Sequence, residues 1–166
     1  MAMETCNIPN TVKSIGDACF QNCKALKSLD IQGTASSLKN AFSGCTSLTS
    51  VNIPALVTSL ERTFIGCTSL VSVNIPVSVT SLERTFEGCT SLVSINIPAS
   101  VTSLMRAFSG CTSLSKAYCN WNSLSNIQTW GDCFVFGPTL SVYLIVPKGM
   151  VDLYKTTSPW FFFKTL

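Results

Sequence analysis

The stretch Cys45-Thr46-Ser47-Leu48-Thr49-Ser50-Val51-Asn52-Ile53-Pro54-Ala55-Leu56-Val57-Thr58-Ser59-Leu60-Glu61-Arg62-Thr63-Phe64-Ile65-Gly66 decides the fold, because the chain repeats it. Gly-Cys-Thr-Ser-Leu recurs at 44–48, 66–70, 88–92 and 110–114. Cys23, Cys45, Cys67, Cys89, Cys111 and Cys133 follow one another at intervals of 22. Asn-Ile-Pro falls at 7–9, 52–54, 74–76 and 96–98; the step from Ile8 to Ile31 is 23, and later steps are 22. A fixed period of this length marks a solenoid.

Inside the stretch, Val51 and Ile53 alternate with Ser50 and Asn52, the period-2 pattern of a strand with one buried face. Pro54 has no N–H for a ladder and ends that strand. Val57, Leu60 and Phe64 come three to four apart, which suits a turn or short helix. Gly66, and Asn22 in the same place of the first coil, tolerate φ > 0, so a tight corner is expected there. One coil cannot bury its apolar set alone. Stacking lays each Leu, Val, Ile, Phe and Cys on its equivalent, and five or so coils stepping about 4.8 Å give a parallel sheet roughly 25 Å long.

The residues Leu70-x-x-Val73-x-Ile75-Pro76, Val79-Thr80-Ser81-Leu82 and Phe86-x-Gly88-Cys89-Thr90-Ser91-Leu92 resemble the BspA-like (Treponema pallidum type) leucine-rich repeat family. Ile8-Pro9-Asn10-Thr11-Val12-x-Ser14-Ile15-Gly16-Asp17 to Phe20 is similar as well. Later coils are one residue shorter between Leu60 and Phe64 than between Ile15 and Phe20. The resemblance implies a leucine-rich repeat solenoid: a right-handed stack of 22–23-residue coils with one parallel β-sheet, short turns or helices on the other side, and a C-terminal cap. Residues 1–119 read as the coils and 120–166 as a degenerate last coil and cap, in one continuous domain. In the cap, Val142 to Gly149 reads as a strand and turn and Met150 to Thr156 as a short helix, with Trp160-Phe161-Phe162-Phe163 as a hydrophobic lid. Trp130 and Cys133 keep the Phe and Cys places of the degenerate coil.

Charged residues make up 11% of the 166 and hydrophobic ones 46%, the opposite of a disordered composition. With so few charges, the plentiful Ser, Thr and Asn must carry solubility. The net charge of +3 comes without a Lys/Arg cluster, which argues against nucleic acid. No run of about 18 apolar residues exists, so membrane insertion is not expected. Met1 to Thr5 has no basic and apolar signal segment, so either the protein is cytosolic or the sequence begins after its signal. The first repeat starts at Met3, the chain reads as a piece of a longer one, and the family resemblance implies a surface or secreted protein.

The nine cysteines include no Cys-x2-Cys pair, and there is no His, so no metal or cofactor is expected. The ladder Cys23, Cys45, Cys67, Cys89, Cys111, Cys133 reads as buried, inert free thiols. Catalysis lacks its parts: no His for acid–base work, no base beside a Cys nucleophile and no phosphate loop. What remains are surfaces. The outward strand positions line a neutral face, with the ligand-binding candidates Ser28, Asp30, Ser50, Asn52, Ser72, Asn74, Ser94, Asn96, Lys116 and Tyr118. Trp121 joins Asp30, Lys116 and Tyr118 as a position that breaks the monotony. Arg62, Arg84 and Arg106 form a second ladder on the opposite side, able to catch an anionic partner or to pair with neighbouring Glu. The family resemblance implies a non-enzymatic, adhesin-like module that binds another protein, such as a host extracellular protein. The rival reading is a spacer whose faces bind nothing, which near-identical repeats favour. No cap precedes Met3, and exposed strand edges invite pairing, so a homodimer through that end is a further expectation.

Overall fold

A computed structural model describes residues 3–127 and 142–156, and the backbone of 164–165. The chain is a leucine-rich repeat solenoid. Its strands are β1 (Thr5–Ile8), β2 (Ser28–Ile31), β3 (Ser50–Asn52), β4 (Ser94–Ile97), β5 (Lys116–Cys119), β6 (Tyr143–Ile145) and β7 (Lys164–Thr165). One helix, α1 (Val151–Thr156), lies between β6 and β7. All paired strands are parallel and in repeat register: Leu29 faces Val51, and Ile95 faces Ala117. The alternation read from the sequence is present, since Leu29, Ile31, Ile95 and Ile97 are buried while Asn96 and Asn52 are exposed.

The single sheet expected from the sequence is divided in two. β1-β2-β3 form one sheet and β4-β5-β6-β7 the other. Ser72–Ile75 keeps the in-out burial pattern without joining a ladder. Residue size does not account for the interruption: Val51 lies in the paired β3, and Ala117, smaller than valine, holds the same inward position in the paired β5.

The opposite wall is built of turns, and the reason lies in where its N–H groups go. Arg62, Phe64 and Gly66 donate to Glu83, Thr85 and Glu87 of the following coil, at 3.0, 3.0 and 2.7 Å. Backbone groups committed between coils cannot close an i→i−4 helix. Alternation in this ladder requires left-handed residues. Gly44, Gly66, Gly88 and Gly110 have φ of 68–75°, and Asn22 has 60°, as the sequence predicts. A second left-handed position, four residues earlier, has no sequence signal: Ala18, Asn40, Arg62, Arg84 and Arg106, at φ of 51–57°. A non-glycine residue there carries strain on the order of 1 kcal/mol. A third wall carries single parallel bridges, Ser37–Ser59, Ser59–Ser81 and Ser81–Ser103.

The core is a set of stacks. Phe20, Phe42, Phe64, Phe86 and Phe108 lie ring on ring, with centroids 5.2, 6.1, 5.8 and 5.7 Å apart. Hydroxyls staple the coils. Thr63 and Thr85 are buried and donate to Leu38 O and Leu60 O at 3.0 and 2.8 Å. On the surface Thr49, Thr68, Thr90 and Ser115 donate to carbonyls 22 residues back. The abundant Thr and Ser therefore tie the repeat together as well as wetting it.

At the C-terminal end α1 seats Tyr154 in the core, where its hydroxyl donates to Trp121 O at 3.3 Å. Trp121 itself is only 2% exposed and donates Nε1–H to Val101 O at 2.7 Å. It belongs to the core rather than to the sheet face on which the sequence placed it, because the in-out alternation of β5 continues past its end, with Asn120 exposed and Trp121 buried. Trp130, Cys133 and Trp160 to Phe163 lie outside the described residues. Among the described residues no helix is long and apolar enough to cross a membrane.

Candidate functional site

The outward ladder lies where the strands place it. Ser50, Asn52, Ser72, Asn74, Asn96, Lys116 and Tyr118 are exposed, while Ser28, Asp30 and Ser94 are half-buried. Register sets Ser28 beside Ser50 and Asp30 beside Asn52 in one sheet, and Ser94 beside Lys116 and Asn96 beside Tyr118 in the other. The amides are linked only in part. Asn52 Nδ2 donates to Asp30 Oδ1 at 3.2 Å, and Gln32 Nε2 donates to Asp30 Oδ2 at 3.0 Å. Asn120 Nδ2 donates to Asn96 Oδ1 at 2.7 Å and to Ile97 O at 2.8 Å. The side chain of Asn74, between these pairs, has no hydrogen-bond partner among the described residues. Here a shallow groove of about 430 Å³ opens, lined by Asn74, Asn96 and Asn120 on its polar side and by Pro76, Val77 and Pro98 on its apolar side.

The arginine ladder is largely self-neutralised. Arg62 pairs with Glu83 at 3.4 Å, Arg84 with Glu87 at 2.7 Å, and Lys39 with Glu61 at 3.2 Å. The hydrogen bond to Glu87, followed by that residue's charge, raises the pKa of the Arg84 guanidinium. Such half-exposed pairs contribute about 0–1 kcal/mol each. Arg106 is exposed and has no ion-pair partner among the described residues.

The cysteine ladder occupies the corner after each left-handed Gly or Asn. Cys45, Cys67, Cys89 and Cys111 are fully buried, and each Sγ–H donates to the carbonyl of Phe20, Phe42, Phe64 or Phe86 at 3.0–3.2 Å. Burial pushes the Cys45 thiol up to about 11 and those of Cys67 and Cys111 up to about 12. Burial raises Cys89 and Cys119 as well. Cys23, in the first coil, is half-buried, as is Cys6, and Cys19 is exposed. Burial first, then the neighbouring Cys23 and Cys19, raises the Cys6 thiol. Among the described residues no group of three or more His, Cys, Asp or Glu side chains could hold a metal ion. A thiol reagent at pH 7 should therefore modify Cys19 first and Cys6 and Cys23 more slowly. It should spare Cys45, Cys67, Cys89, Cys111 and Cys119 until the chain is denatured, when all nine react. Mass spectrometry of the labelled chain checks this, and native labelling of Cys67 or Cys89 would show the core misplaced.

A stack of 22-residue coils with parallel strands on one wall and a stacked Leu, Phe and Cys core defines a leucine-rich repeat protein. The chain belongs to the BspA type leucine rich repeat family, whose profile matches residues 1–115 and 38–135 in six copies. It is similar to a leucine rich cell surface protein of Faecalibacterium prausnitzii, at 34% identity and TM-score 0.65, over 70% of this chain and 32% of that one. A leucine rich repeat protein of T. pallidum shares the fold at 22% identity and TM-score 0.62, over 69% of this chain and 58% of that one. The pneumococcal vaccine antigen PcpA also shares it, at 16% identity and TM-score 0.53, over 99% of this chain and 41% of that one. No curated protein matches the chain. The chain spans about a third of the length of its F. prausnitzii counterpart.

Proposed function

We propose that this chain is a non-enzymatic, adhesin-like recognition module of a bacterial surface or secreted protein, contacting another protein through its sheet face. One observation carries the reading most directly. Ser50, Asn52, Ser72, Asn74 and Asn96 present an exposed array of donors and acceptors with hardly a charge, bounded by Asp30 at one end and Lys116 and Tyr118 at the other. Such a face can exchange its hydrogen bonds to water for hydrogen bonds to the polar groups of a partner, and its irregular ends supply selectivity. The F. prausnitzii relative, described as a cell surface protein, supports the location. A host extracellular protein fits such a location.

The spacer reading draws on the pairs Asn52–Asp30 and Asn120–Asn96, which satisfy part of the ladder from within. A binding screen of the purified domain against extracellular matrix, plasma and cell-surface proteins separates the two. Saturable retention of at least one protein, with a Kd at or below about 1 μM, is the expected result. No retention would leave the spacer as the better account.

A further inference from the structure

Three independent features converge on one place in the stack. The strand ladder lapses at Ser72–Ile75. Among the described residues Asn74, in that segment, is the interior asparagine of the ladder whose amide has no partner, since Asn52 is bonded to Asp30 and Asn96 to Asn120. The groove of about 430 Å³ opens there, and Val77 on its wall is 82% exposed, the most exposed large hydrophobic side chain described. A cleft of that size falls within the usual range for ligand sites, about 300–1,000 Å³.

The lining sets the chemistry of the occupant. Asn74, Ile75, Pro76, Val77, Asn96, Pro98, Ala99 and Asn120 carry no charge, so a charged ligand would be desolvated there without compensation. A free carboxamide offers one acceptor and two donors in a plane, the complement of a peptide unit's N–H and C=O. The apolar wall of Val77, Pro76 and Pro98 suits an aliphatic side chain. Neither an aromatic ring nor a carboxylate lines the groove, and these are the groups that would stack on a sugar and bind its hydroxyls. We infer that the groove holds an uncharged, extended peptide segment, its main chain hydrogen-bonded to Asn74 and one aliphatic side chain seated against Val77. This rests on the proposed recognition of a protein by the sheet face, and it names the part of the partner that is read.

The test is a phage-displayed library of random linear peptides selected on the purified domain. The selected peptide is then measured against three variants that circular dichroism shows to be folded: Asn74→Ala, Val77→Asp and Asn52→Arg. The expected result is an uncharged consensus with an aliphatic residue. Its affinity falls about tenfold in Asn74→Ala, as loss of two neutral hydrogen bonds implies, and more in Val77→Asp, but little in Asn52→Arg. N-methylation of the peptide's central amides should weaken it comparably. No enrichment, a charged consensus, or binding indifferent to Asn74 and Val77 would overturn the inference, as would binding of neutral oligosaccharides on a glycan array at this groove. If a protein retained in the screen loses affinity in Asn52→Arg but not in Asn74→Ala, the sheet-face reading stands and the groove reading falls.

Discussion

Raising the pH above 9 should unfold this chain over a narrow interval, with loss of its circular dichroism complete by about pH 12. The thiols of Cys67 and Cys111 are raised by burial from an ordinary 9.0 to about 12, and those of Cys89 and Cys119 are raised too. Below pH 9 folded and unfolded chains both keep these protons, so the full stability is present. Above it the unfolded chain releases them and the folded chain holds them, so stability is lost as the pH climbs towards the folded values. Each proton held back costs about 1.4 kcal/mol per pH unit, or on the order of 5 kcal/mol per unit for the four together. A domain stable by about 5–15 kcal/mol cannot survive that slope for more than one to three units. An alkaline titration under reductant, excluding oxygen, measures the midpoint. Replacing Cys67 and Cys89 together by Ala should make the transition shallower. A native spectrum at pH 12, or a transition unchanged by the double replacement, would mean that the ladder is not buried.

Phe86→Ala should cost about 3–5 kcal/mol, because truncation of a large buried aromatic leaves a cavity as well as losing its transfer free energy. Phe86 is fully buried between Phe64 and Phe108, at 5.8 and 5.7 Å, with rings tilted by 11° and 5°. Its loss breaks the stack in the middle, where coils on both sides depend on it. For a chain of this size the thermal midpoint should fall by about 6–20 °C. Scanning calorimetry or urea titration reads it directly. A Phe86→Ala variant within 1 kcal/mol of the parent would show that the stacked rings do not carry the core. Phe20, in the first coil and only partly buried, should tolerate the same change better.

The fold was legible because every coil states it again. The spacing of Cys45 to Cys67 to Cys89 fixes the rise, the Val51–Ile53 alternation fixes the strand, and Gly66 fixes one corner. The features that escaped have physical reasons. The left-handed backbone at Arg62, Arg84 and Arg106 has no signature in residue type; at Arg62 and Arg84 it accompanies N–H groups donated to the next coil. The division of the sheet at Ser72–Ile75 has no counterpart in residue type, since Ser72-Val73-Asn74-Ile75 repeats the Ser50-Val51-Asn52-Ile53 that includes β3. Trp121 lies two residues past β5, where the alternation of buried Ala117, exposed Tyr118 and buried Cys119 continues and sends it inward.

The candidate site was legible as a face but not as a place on it. Period-2 alternation gives Asn52, Asn74 and Asn96 equal standing. The structure separates them by their partners: Asp30 for Asn52, Asn120 for Asn96, and no described residue for Asn74. The arginines were legible as a ladder too, yet Glu83 and Glu87 engage two of the three, which leaves that side less able to attract an anion than its composition suggests.

The most direct test of recognition through the sheet face is a paired affinity measurement on whichever matrix, plasma or surface protein the binding screen retains. One variant changes Asn52, Asn74 and Asn96 to Arg on the sheet face, and the other changes Arg62, Arg84 and Arg106 to Gln on the opposite side. All six side chains point outward or are paired at the surface, so both variants should keep the parent's circular dichroism. Binding abolished in the first and unchanged in the second is the predicted result. Binding kept by the first and lost by the second would contradict the account.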